Sequence, residues 1–455
     1  MTRMEPADAR MYWMSRAIPN DQFLLYCFAD HHISIDDRAA GLCRRAAGVP
    51  DLTIRVLDIP AGLDHPQWVH RPVGADQIVL HRSVTTWRDC LDSVAALTAD
   101  QLTPTSAAWR IHLFPAVPDT PRGAGVVVVI QVSHALGDGR RASAIARRLF
   151  SGPAGIPASD DVRGRKIDSE FDGDGRPGIE RRALVIAASG AATLPLRIAG
   201  MLWRGLDAYR TVLARPPTEG TGYVVTGLNR PPGTERLLRV LTRERTDFPA
   251  AHSVTVGALT AISVALHAEL DAHAERLGVE LTMGRRRPSR SRNNFRNVGI
   301  DLHTEIDDLD ARASAIAAEI DRARQADDEP ARLAERRATD AVPAPLVRWG
   351  IDRFDPHRRP DRVTGVTVVS SVYRGAADLD LDGGPVLFTA GFPALSPAQG
   401  LTHGVHGIGS TIALSVTTAP TILADVDQYV ARLESAIDAV AAACAQDSSG
   451  PPGRE

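Results

Sequence analysis

The stretch that most constrains the fold is the apolar run Val126–Val132, in which β-branched residues dominate. Such a run predicts a buried strand. It leads directly into Ser133-His134-Ala135-Leu136-Gly137-Asp138-Gly139, where two glycines argue against a helix. A strand end followed by a short loop holds a side chain rigidly at the rim of a cleft. We therefore expect His134 to project into a cleft as a general base, Asp138 to hold the loop, and Gly139 to permit close approach of another backbone.

The rest of the chain predicts an α/β protein, because strand patterns alternate with helix patterns. In the first part we predict strands and helices over 22–29 (strand), 36–48 (helix), 85–98 (helix), 109–114 (strand), 126–132 (strand) and 141–150 (helix). A second α/β block begins near Tyr223, with predicted elements at 255–270 (helix), 309–338 (long charged helix), 364–369 (strand), 411–416 (strand) and 426–443 (helix).

The two blocks are separated by a region of different character. Residues 151–181 are rich in Pro, Gly, Ser, Asp and Arg and predict a linker or mobile loop. Residues 182–214 predict one or two amphipathic helices, whose apolar run 183–196 is broken by Pro195 and expected to be too short to span a bilayer. The resulting division is 1–150, 151–222, 223–445 and a disordered tail over 446–455.

Composition narrows the function classes. The net charge is −3, so neither nucleic acid nor an anionic membrane is required as a partner. The four cysteines are far apart and form no Cys-x-x-Cys pair, which argues against a disulfide framework and a metal site. The first residues lack the apolar core of a signal peptide, and we expect a cytoplasmic protein.

The segment around His134 resembles the His-His-x-x-x-Asp-Gly motif of the bacterial wax ester synthase/diacylglycerol acyltransferase (WS/DGAT) family, a branch of the chloramphenicol acetyltransferase-like superfamily. His134 stands at the second histidine, the base of that family, and Ser133 stands at the first. Further stretches resemble the family's Ser-Pro-x-Asp-Ala opening, its Pro-Leu-Trp motif, its Pro-x-Ser-Pro…Gly-x-x-Leu region and its last strand and helix: 4–12, 107–109, 393–401 and 408–430. Two segments depart from the pattern: Thr255-Val256-Gly257-Ala258 replaces Thr-Val-Asn-Asp, and Ser370-Ser371-Val372-Tyr373-Arg374-Gly375 replaces Ser-Asn-Val-Pro-Gly-Pro.

The resemblance implies two chloramphenicol acetyltransferase-like subdomains with mixed sheets and an active-site channel at their interface. It implies transfer of an acyl group from acyl-CoA, a co-substrate, to a long-chain alcohol or a diacylglycerol. His134 would act as general base, with Asp138 and Gly139 completing the motif, no acyl-enzyme and no cofactor or metal. Two alternatives stay open: acyl transfer on a carrier-protein-bound group, and a degenerate non-catalytic lipid-binding protein.

Other candidates have competing interpretations. Ser133 and Arg287 are candidate substrate-binding residues, and Arg287 could also pair with Asp138. The arginines between 285 and 296 suit the phosphates of coenzyme A, although a solvated loop explains them as well. No aromatic residues interleave them, so nucleic-acid binding is not expected. The stretch 30–37 reads His-His-x-x-x-Asp-Asp, which we interpret as coincidence.

Two further interpretations concern location. His403 and His406 are expected to line a loop close to the acyl tunnel that the resemblance implies. The amphipathic region 182–214 has two interpretations. It lies on a lipid surface, either the inner face of the cell membrane or a lipid droplet, or it packs on the two halves as a connecting helix.

Overall fold

The computed structural model describes residues 1–151, 176–216, 222–270, 276–356, 358 and 360–447. The predicted linker lies outside them over 152–175, as does the predicted tail over 448–455. The described residues form the α-helices α1 (Pro6–Met14), α2 (Ile35–Ala47), α3 (Trp87–Leu97), α4 (Gly139–Phe150), α5 (Arg176–Ala214), α6 (Val254–Glu269), α7 (Leu309–Ala326), α8 (Pro330–Asp340), α9 (Ala344–Asp352) and α10 (Val426–Asp447). They also form the strands β1 (Thr2–Arg3), β2 (Gln22–Phe28), β3 (Ile54–Leu57), β4 (Gln67–His70), β5 (Ile78–Leu80), β6 (Trp109–Thr120), β7 (Gly123–Val132), β8 (Tyr223–Val224), β9 (Leu237–Glu244), β10 (Gly278–Gly284), β11 (Phe295–Asp301), β12 (Arg362–Val363), β13 (Thr367–Tyr373), β14 (Asp380–Leu381), β15 (Gly384–Phe392), β16 (Thr402–Ile408) and β17 (Thr411–Thr418).

Two six-stranded mixed sheets form the centre of the fold. The first has the order β14-β15-β2-β7-β6-β5, in which only β5 and β6 run parallel. The second has the order β11-β10-β13-β16-β17-β9, with β10, β13 and β16 parallel. Each sheet is covered by helices, and the two buried clusters on their helix-covered faces form the main cores.

Both faces of the central strand β2 are buried, which explains its continuous apolar sequence. Leu24, Tyr26 and Phe28 pack in the core that also holds helices α1, α2 and α4. Phe23 and Leu25 belong to a separate cluster with α3 and with residues of the second sheet. The two sheets therefore share a buried seam.

The chain crosses between the halves after β13. Strand β15 pairs with β2, with Phe392 opposite Phe23, so a late segment completes the first sheet. The predicted domain boundaries near residues 150 and 222 stay a prediction. The first sheet contains β14 and β15 from the second part of the chain, so the sheets do not divide at those boundaries.

Helix α5 differs from the expectation. It is one continuous helix of 39 residues that includes Pro195, and it begins inside the predicted linker. Its contact stripe includes Ala183, Ala187 and Gly190, and Arg197 forms an ion pair with Asp64 at 2.9 Å. Within the described residues, the stretch Gly178–Ala214 is long and apolar enough to cross a membrane by length and composition, so the expectation of a segment too short for this is wrong.

The other elements follow the predicted pattern with shifted ends. The long charged helix predicted over 309–338 is two helices, α7 and α8, because Pro330 starts a new helix. The strand predicted over 364–369 begins later, at Thr367, and continues to Tyr373. The last helix extends to Asp447.

Candidate active site

His134 lies in the turn that joins β7 to α4, as the strand–loop interpretation predicts. Asp138 is the N-cap of α4, and its Oδ1 accepts a hydrogen bond from the backbone N–H of Arg141 at 3.0 Å. This is the usual way for a short acidic side chain to satisfy the first turn of a helix. The turn therefore leaves His134 partly exposed while the residues around it are buried.

The glycines of the motif have different roles. The carbonyl of Gly137 accepts a hydrogen bond from Gln22 Nε2 at 2.5 Å, and a Cβ at Gly137 would lie 2.8 Å from the Cβ of Arg141. A side chain is therefore excluded there by packing. At Gly139 a Cβ would meet Val372 Cγ2 at 3.6 Å, an ordinary contact. Nothing in the described protein requires glycine at 139, and close approach of a substrate at this position stays a prediction.

The His134 ring is held by a residue from the second half of the chain. His134 Nδ1 lies 2.8 Å from Asn293 Oδ1, and Asn293 Nδ2 donates to the His134 carbonyl at 2.8 Å. The same Nδ2 also donates to Asp8 Oδ1 at 3.0 Å, and the Asn293 backbone N–H donates to Asp8 Oδ1 at 2.8 Å. Asp8, Asn293 and His134 thus form a chain of hydrogen bonds across the seam, buried at Asp8 and partly buried at His134.

This chain determines the tautomer of His134. The Asn293 amide nitrogen faces two carbonyl-type acceptors, so its Oδ1 must be the atom that faces the histidine. An amide oxygen only accepts, so Nδ1 carries the proton and Nε2 keeps its lone pair. Burial lowers the pKa of His134, while the Asn293 hydrogen bond partly opposes that effect. The side chain is therefore a neutral imidazole at neutral pH with Nε2 available as a base.

The loop at 292–294 also holds the turn that carries His134. Asp138 Oδ2 accepts from the Asn294 N–H at 2.9 Å, and the Asp138 N–H donates to the Arg292 carbonyl at 3.2 Å. Arg292 Nη1 and Arg141 Nη2 both bind Asp51 Oδ1, at 2.7 and 2.9 Å. Although burial alone would raise the pKa of Asp51, these two guanidinium groups lower it. The turn with His134 is thus held by residues from both halves of the molecule.

The suggested pairing of Arg287 with Asp138 is wrong. Arg287 Nε donates to Asp328 Oδ1 at 2.7 Å, and 58% of its side chain is exposed. Among the described residues Asp138 has no arginine side-chain partner, because backbone amides satisfy its carboxylate. The arginines between 285 and 296 therefore have different environments: Arg287 forms an ion pair at the surface, whereas Arg292 is largely buried and pairs with Asp51.

Other candidates are placed as follows. Ser133 is buried, and its Oγ accepts from the Ala135 N–H at 3.3 Å, so the described contact stabilises the turn; its substrate role stays a prediction. His403 and His406 lie on strand β16, so the expectation that they line a loop is wrong. Every residue of this strand is buried, as is usual for a strand inside a sheet that is covered on both faces. The side chain of His32 is 94% exposed, two residues before Ser34, the N-cap of α2. This agrees with the interpretation of the His-His-x-x-x-Asp-Asp stretch as coincidence.

Both segments that depart from the family pattern lie close to this site. Thr255 Oγ1 and Ser371 Oγ are 2.7 Å apart, so the two segments contact each other through Thr255, which the family pattern shares, and Ser371, which departs from it. Val372 from the second segment lies beside Gly139, since a Cβ added at Gly139 would be 3.6 Å from Val372 Cγ2. The two segments are therefore neighbours in space, although more than a hundred residues separate them in the chain.

Asp8 and Asn293 were not identified from the sequence. Asp8 lies within the opening stretch that resembles the family, so a signal existed for it. Asn293 follows an arginine-rich segment, and no local pattern marks it. Among the described residues, Asp301, His303 and Glu305 bring their ligand atoms within 4.8 Å of one another. Asp301 is already paired with Arg276, and we assign no metal there.

Comparisons with known proteins agree with this geometry. Residues 292–441 match the family model described as the WS/DGAT C-terminal domain. The fold is similar to the wax ester synthase/diacylglycerol acyltransferase from Marinobacter aquaeolei VT8, with a TM-score of 0.63 and 16% identity over 98% of this chain and 100% of that chain. No curated protein sequence matches significantly.

The fold is also similar to the starter condensation domain of rhizomide synthetase, in two variants. A structure in complex with C8-CoA gives a TM-score of 0.56 and 13% identity over 98% of this chain and 95% of that chain. A structure in complex with C8-CoA and Leu-SNAC gives a TM-score of 0.55 and 13% identity over 98% of this chain and 94% of that chain. These likenesses confirm the predicted fold class, two chloramphenicol acetyltransferase-like parts with mixed sheets. Residues 292–441 thus match the WS/DGAT C-terminal domain, and the whole fold is similar to that of a wax ester synthase/diacylglycerol acyltransferase, which confirms the family resemblance predicted from the sequence.

Proposed function

We propose that the protein is an acyl-CoA-dependent O-acyltransferase that forms wax esters or triacylglycerol from long-chain alcohols or diacylglycerol. The observation that carries this proposal is the orientation of His134, whose Nδ1–H is held by Asn293 while Nε2 stays free. A neutral imidazole in this state can accept a proton from a hydroxyl group. The position of the ring between the two halves suits a reaction of two substrates.

In the proposed reaction, Nε2 of His134 takes the hydroxyl proton as the alcohol oxygen attacks the thioester carbonyl. The tetrahedral intermediate collapses with cleavage of the carbon–sulfur bond, and His134 returns the proton to the coenzyme A thiolate. The new ester and free coenzyme A are the products, so all atoms are accounted for. This direct transfer needs no acyl-enzyme and no cofactor, and Asp138 supports it by holding the turn.

The choice of coenzyme A as the acyl carrier has two supports. The matched family is named for wax ester synthase and diacylglycerol acyltransferase activity. The rhizomide synthetase domains, which share the fold, were solved in complex with C8-CoA. We therefore propose acyl-CoA as the donor and an alcohol or diacylglycerol as the acceptor.

The test is a substrate panel analysed by mass spectrometry. Purified protein is incubated with long-chain acyl-CoA and either a long-chain alcohol or a diacylglycerol, and esters and free coenzyme A are measured. We expect ester formed in equal amount to coenzyme A released. Release of coenzyme A without ester would indicate hydrolysis, and no turnover with any acceptor would overturn the proposal.

A second candidate is acyl transfer from a carrier protein, favoured by the fold likeness to a starter condensation domain. The same panel distinguishes it when an acyl-carrier protein replaces acyl-CoA in a parallel arm and an amine replaces the alcohol. Product only in that arm would support the second candidate. Acyl-CoA binding without turnover in either arm would favour a non-catalytic lipid-binding protein.

We also propose that helix α5 lies on a lipid surface, at the inner face of the cell membrane or on a lipid droplet. Its outer face exposes large apolar side chains, among them Leu196 at 75%, Trp203 at 70% and Val185 at 65%. A helix with one packed stripe and one bare apolar face suits an interface. The substrates and products proposed above are themselves poorly soluble in water.

Liposome flotation tests this placement. We expect the protein to float with vesicles of neutral and anionic lipids and Trp203→Glu to reduce the floating fraction. Trp349→Glu, on exposed residue 349 of α9, serves as the matched control for an exposed tryptophan. A wild-type protein that stays in the soluble fraction with both vesicle types would assign α5 a structural role only.

A further inference from the structure

Arg374 is a buried cation without a carboxylate partner. Only 4% of the residue is exposed, and among the described residues no Asp or Glu lies within ion-pair distance. Buried charges in proteins are normally paired, because taking an ion out of water is costly. Burial lowers the pKa of Arg374, but a guanidinium group stays protonated at neutral pH.

The open side of the Arg374 guanidinium is well defined. Nη1 donates to Thr389 Oγ1, while Nε has no acceptor among the described residues. Nε and Nη2 form the side of the guanidinium fork that binds a carboxylate through two parallel hydrogen bonds. Among the described residues, therefore, no protein acceptor takes the Nε–H on the side of the fork that suits a bidentate anion.

Two more unpartnered polar atoms surround this fork. Tyr26 has its ring centroid 5.1 Å from the guanidinium carbon and opposes the lowering of the Arg374 pKa, but among the described residues its buried hydroxyl has no partner in good hydrogen-bond geometry. His406 Nδ1 is also buried without a partner. A Cβ at Gly391 would lie 2.7 Å from Arg374 Nη2 and 2.9 Å from His406 Nε2, so both side chains converge on this glycine. Arg374, Tyr26 and His406 are thus three buried side chains grouped together, each with a polar atom that lacks a partner among the described residues.

The cluster lies close to the catalytic turn. Arg374 follows strand β13, two positions after Val372, which contacts Gly139. On the first sheet, Tyr26 lies on the same face of β2 as Gln22, which binds the Gly137 carbonyl. Four residues of a strand span about 13 Å. A substrate that reaches from His134 along this face could place its far end at Arg374.

Arg374 is also specific to this chain's pattern. It belongs to Ser370-Ser371-Val372-Tyr373-Arg374-Gly375, where the WS/DGAT pattern reads Ser-Asn-Val-Pro-Gly-Pro. The position of a glycine is thus occupied by a long cationic side chain. A departure that buries a charge beside the reaction site points to a changed substrate.

We propose that Arg374, Tyr26, Thr389 and His406 form a binding site for the carboxylate of a substrate, either the far end of the acyl chain or a hydroxy-acid acceptor. This inference rests on the proposed acyl transfer at His134 and names its substrate class. A carboxylate matches the planar fork in shape, and its single negative charge balances the single positive charge of Arg374. A doubly charged phosphate would leave an uncompensated negative charge in the same buried place.

The test separates binding from turnover. Calorimetry measures the binding of matched pairs: an acyl-CoA with and without a terminal carboxylate, and a long-chain alcohol with and without one. We expect the wild type to prefer the carboxylate member of at least one pair by about 10- to 100-fold, the range of a charge-assisted hydrogen bond. The pair that shows the preference identifies which substrate carries the group.

Arg374→Met should abolish this preference without reducing affinity for the neutral members. It should also leave the melting temperature unchanged or higher, because an unpaired buried charge is removed. Arg374→Lys keeps the charge but not the fork, and we expect an intermediate preference. Tyr26→Phe supplies a milder variant if Arg374→Met does not fold. Arg312→Met is the matched control, since Arg312 is buried but donates to the Ile306 carbonyl and to Ser263 Oγ.

Three outcomes would overturn the inference. The wild type could show no carboxylate preference in either pair. Arg374→Met could weaken neutral and carboxylate ligands equally. It could weaken coenzyme A itself or inorganic phosphate, which would assign Arg374 to a phosphate. Because binding is measured without turnover, these results stand whether or not the protein catalyses acyl transfer.

Discussion

Replacing Asn293 by leucine tests whether a residue from the second half sets the state of the catalytic base. Asn293 makes three side-chain hydrogen bonds, two to His134 and one to Asp8. Leucine has a similar size and can make none of them. The substitution leaves His134 in place but removes the group that fixes its tautomer and orientation.

The size of the effect follows from the bonds lost. Each hydrogen bond contributes about 1 kcal/mol, so the two bonds to His134 amount to about 2 kcal/mol. If that energy holds the ring in its reactive geometry, the rate falls roughly 30-fold. We expect the loss in kcat and little change in KM, because Asn293 supports the base and does not contact the proposed substrates.

The pH profile gives a second readout. The Asn293 hydrogen bond raises the pKa of His134 against the lowering by burial. Removing it should lower that pKa further. A base must be unprotonated to act, so activity falls as the pH drops through its pKa. The acid limb of the profile for Asn293→Leu should therefore move to lower pH.

The assay is steady-state release of coenzyme A across pH, with ester confirmed by mass spectrometry. Asn229→Leu is the matched control, since Asn229 is buried and donates to the Val366 and Ala398 carbonyls, away from His134. That variant should lose stability and keep its pH profile. An Asn293→Leu protein that is folded and has wild-type kcat and an unshifted acid limb would refute the role of Asn293.

Further predictions concern the same turn and its surroundings. Asp138→Asn should cost about 1–2 kcal/mol of unfolding free energy, less than a buried ion pair would, because the lost contact is the hydrogen bond from the Asn294 amide; urea unfolding measures it, and a loss above about 4 kcal/mol would contradict this. Burial raises the pKa of Asp8 from 3.8 to about 6, so the folded state binds the proton more tightly. Stability should fall by about 3 kcal/mol as the pH rises from about 4 to 6, and melting curves of Asp8→Asn should lack that dependence. His31→Ala and His32→Ala should keep wild-type acyl transfer, and a loss of more than tenfold in either would contradict the interpretation of their motif as coincidence.

The sequence predicted those parts of the fold that depend on local pattern. Strand β7 and the turn at His134 follow from a β-branched run and two glycines, and both were predicted correctly. The break between α7 and α8 was missed, although Pro330 marks it. The apolar run 183–196 was expected to be broken by Pro195, yet helix α5 continues through that residue. Proline lowers helix stability without always ending a helix.

The parts that were missed depend on contacts between distant segments. Asn293 is 159 residues from His134 in the chain and has no local signature. The ion pair expected for Asp138 was replaced by backbone amides from the 292–294 loop, which no side-chain pattern could indicate. Likewise, the crossover of β15 onto β2 joins elements more than 350 residues apart. The spacing of residues within one motif predicts that a residue such as His134 belongs to a site. The hydrogen-bond partners of that residue come from distant segments and depend on the tertiary fold.

The most direct test of the central claim is acyl transfer by His134→Ala. The rate of ester formation from acyl-CoA is measured for the wild type and the variant at saturating substrate, with circular dichroism and melting curves to confirm the fold. If His134 is the general base, the variant should lose about 10²- to 10⁴-fold in rate while remaining folded. A folded His134→Ala protein that forms ester at the wild-type rate would contradict the assignment of His134 as the base.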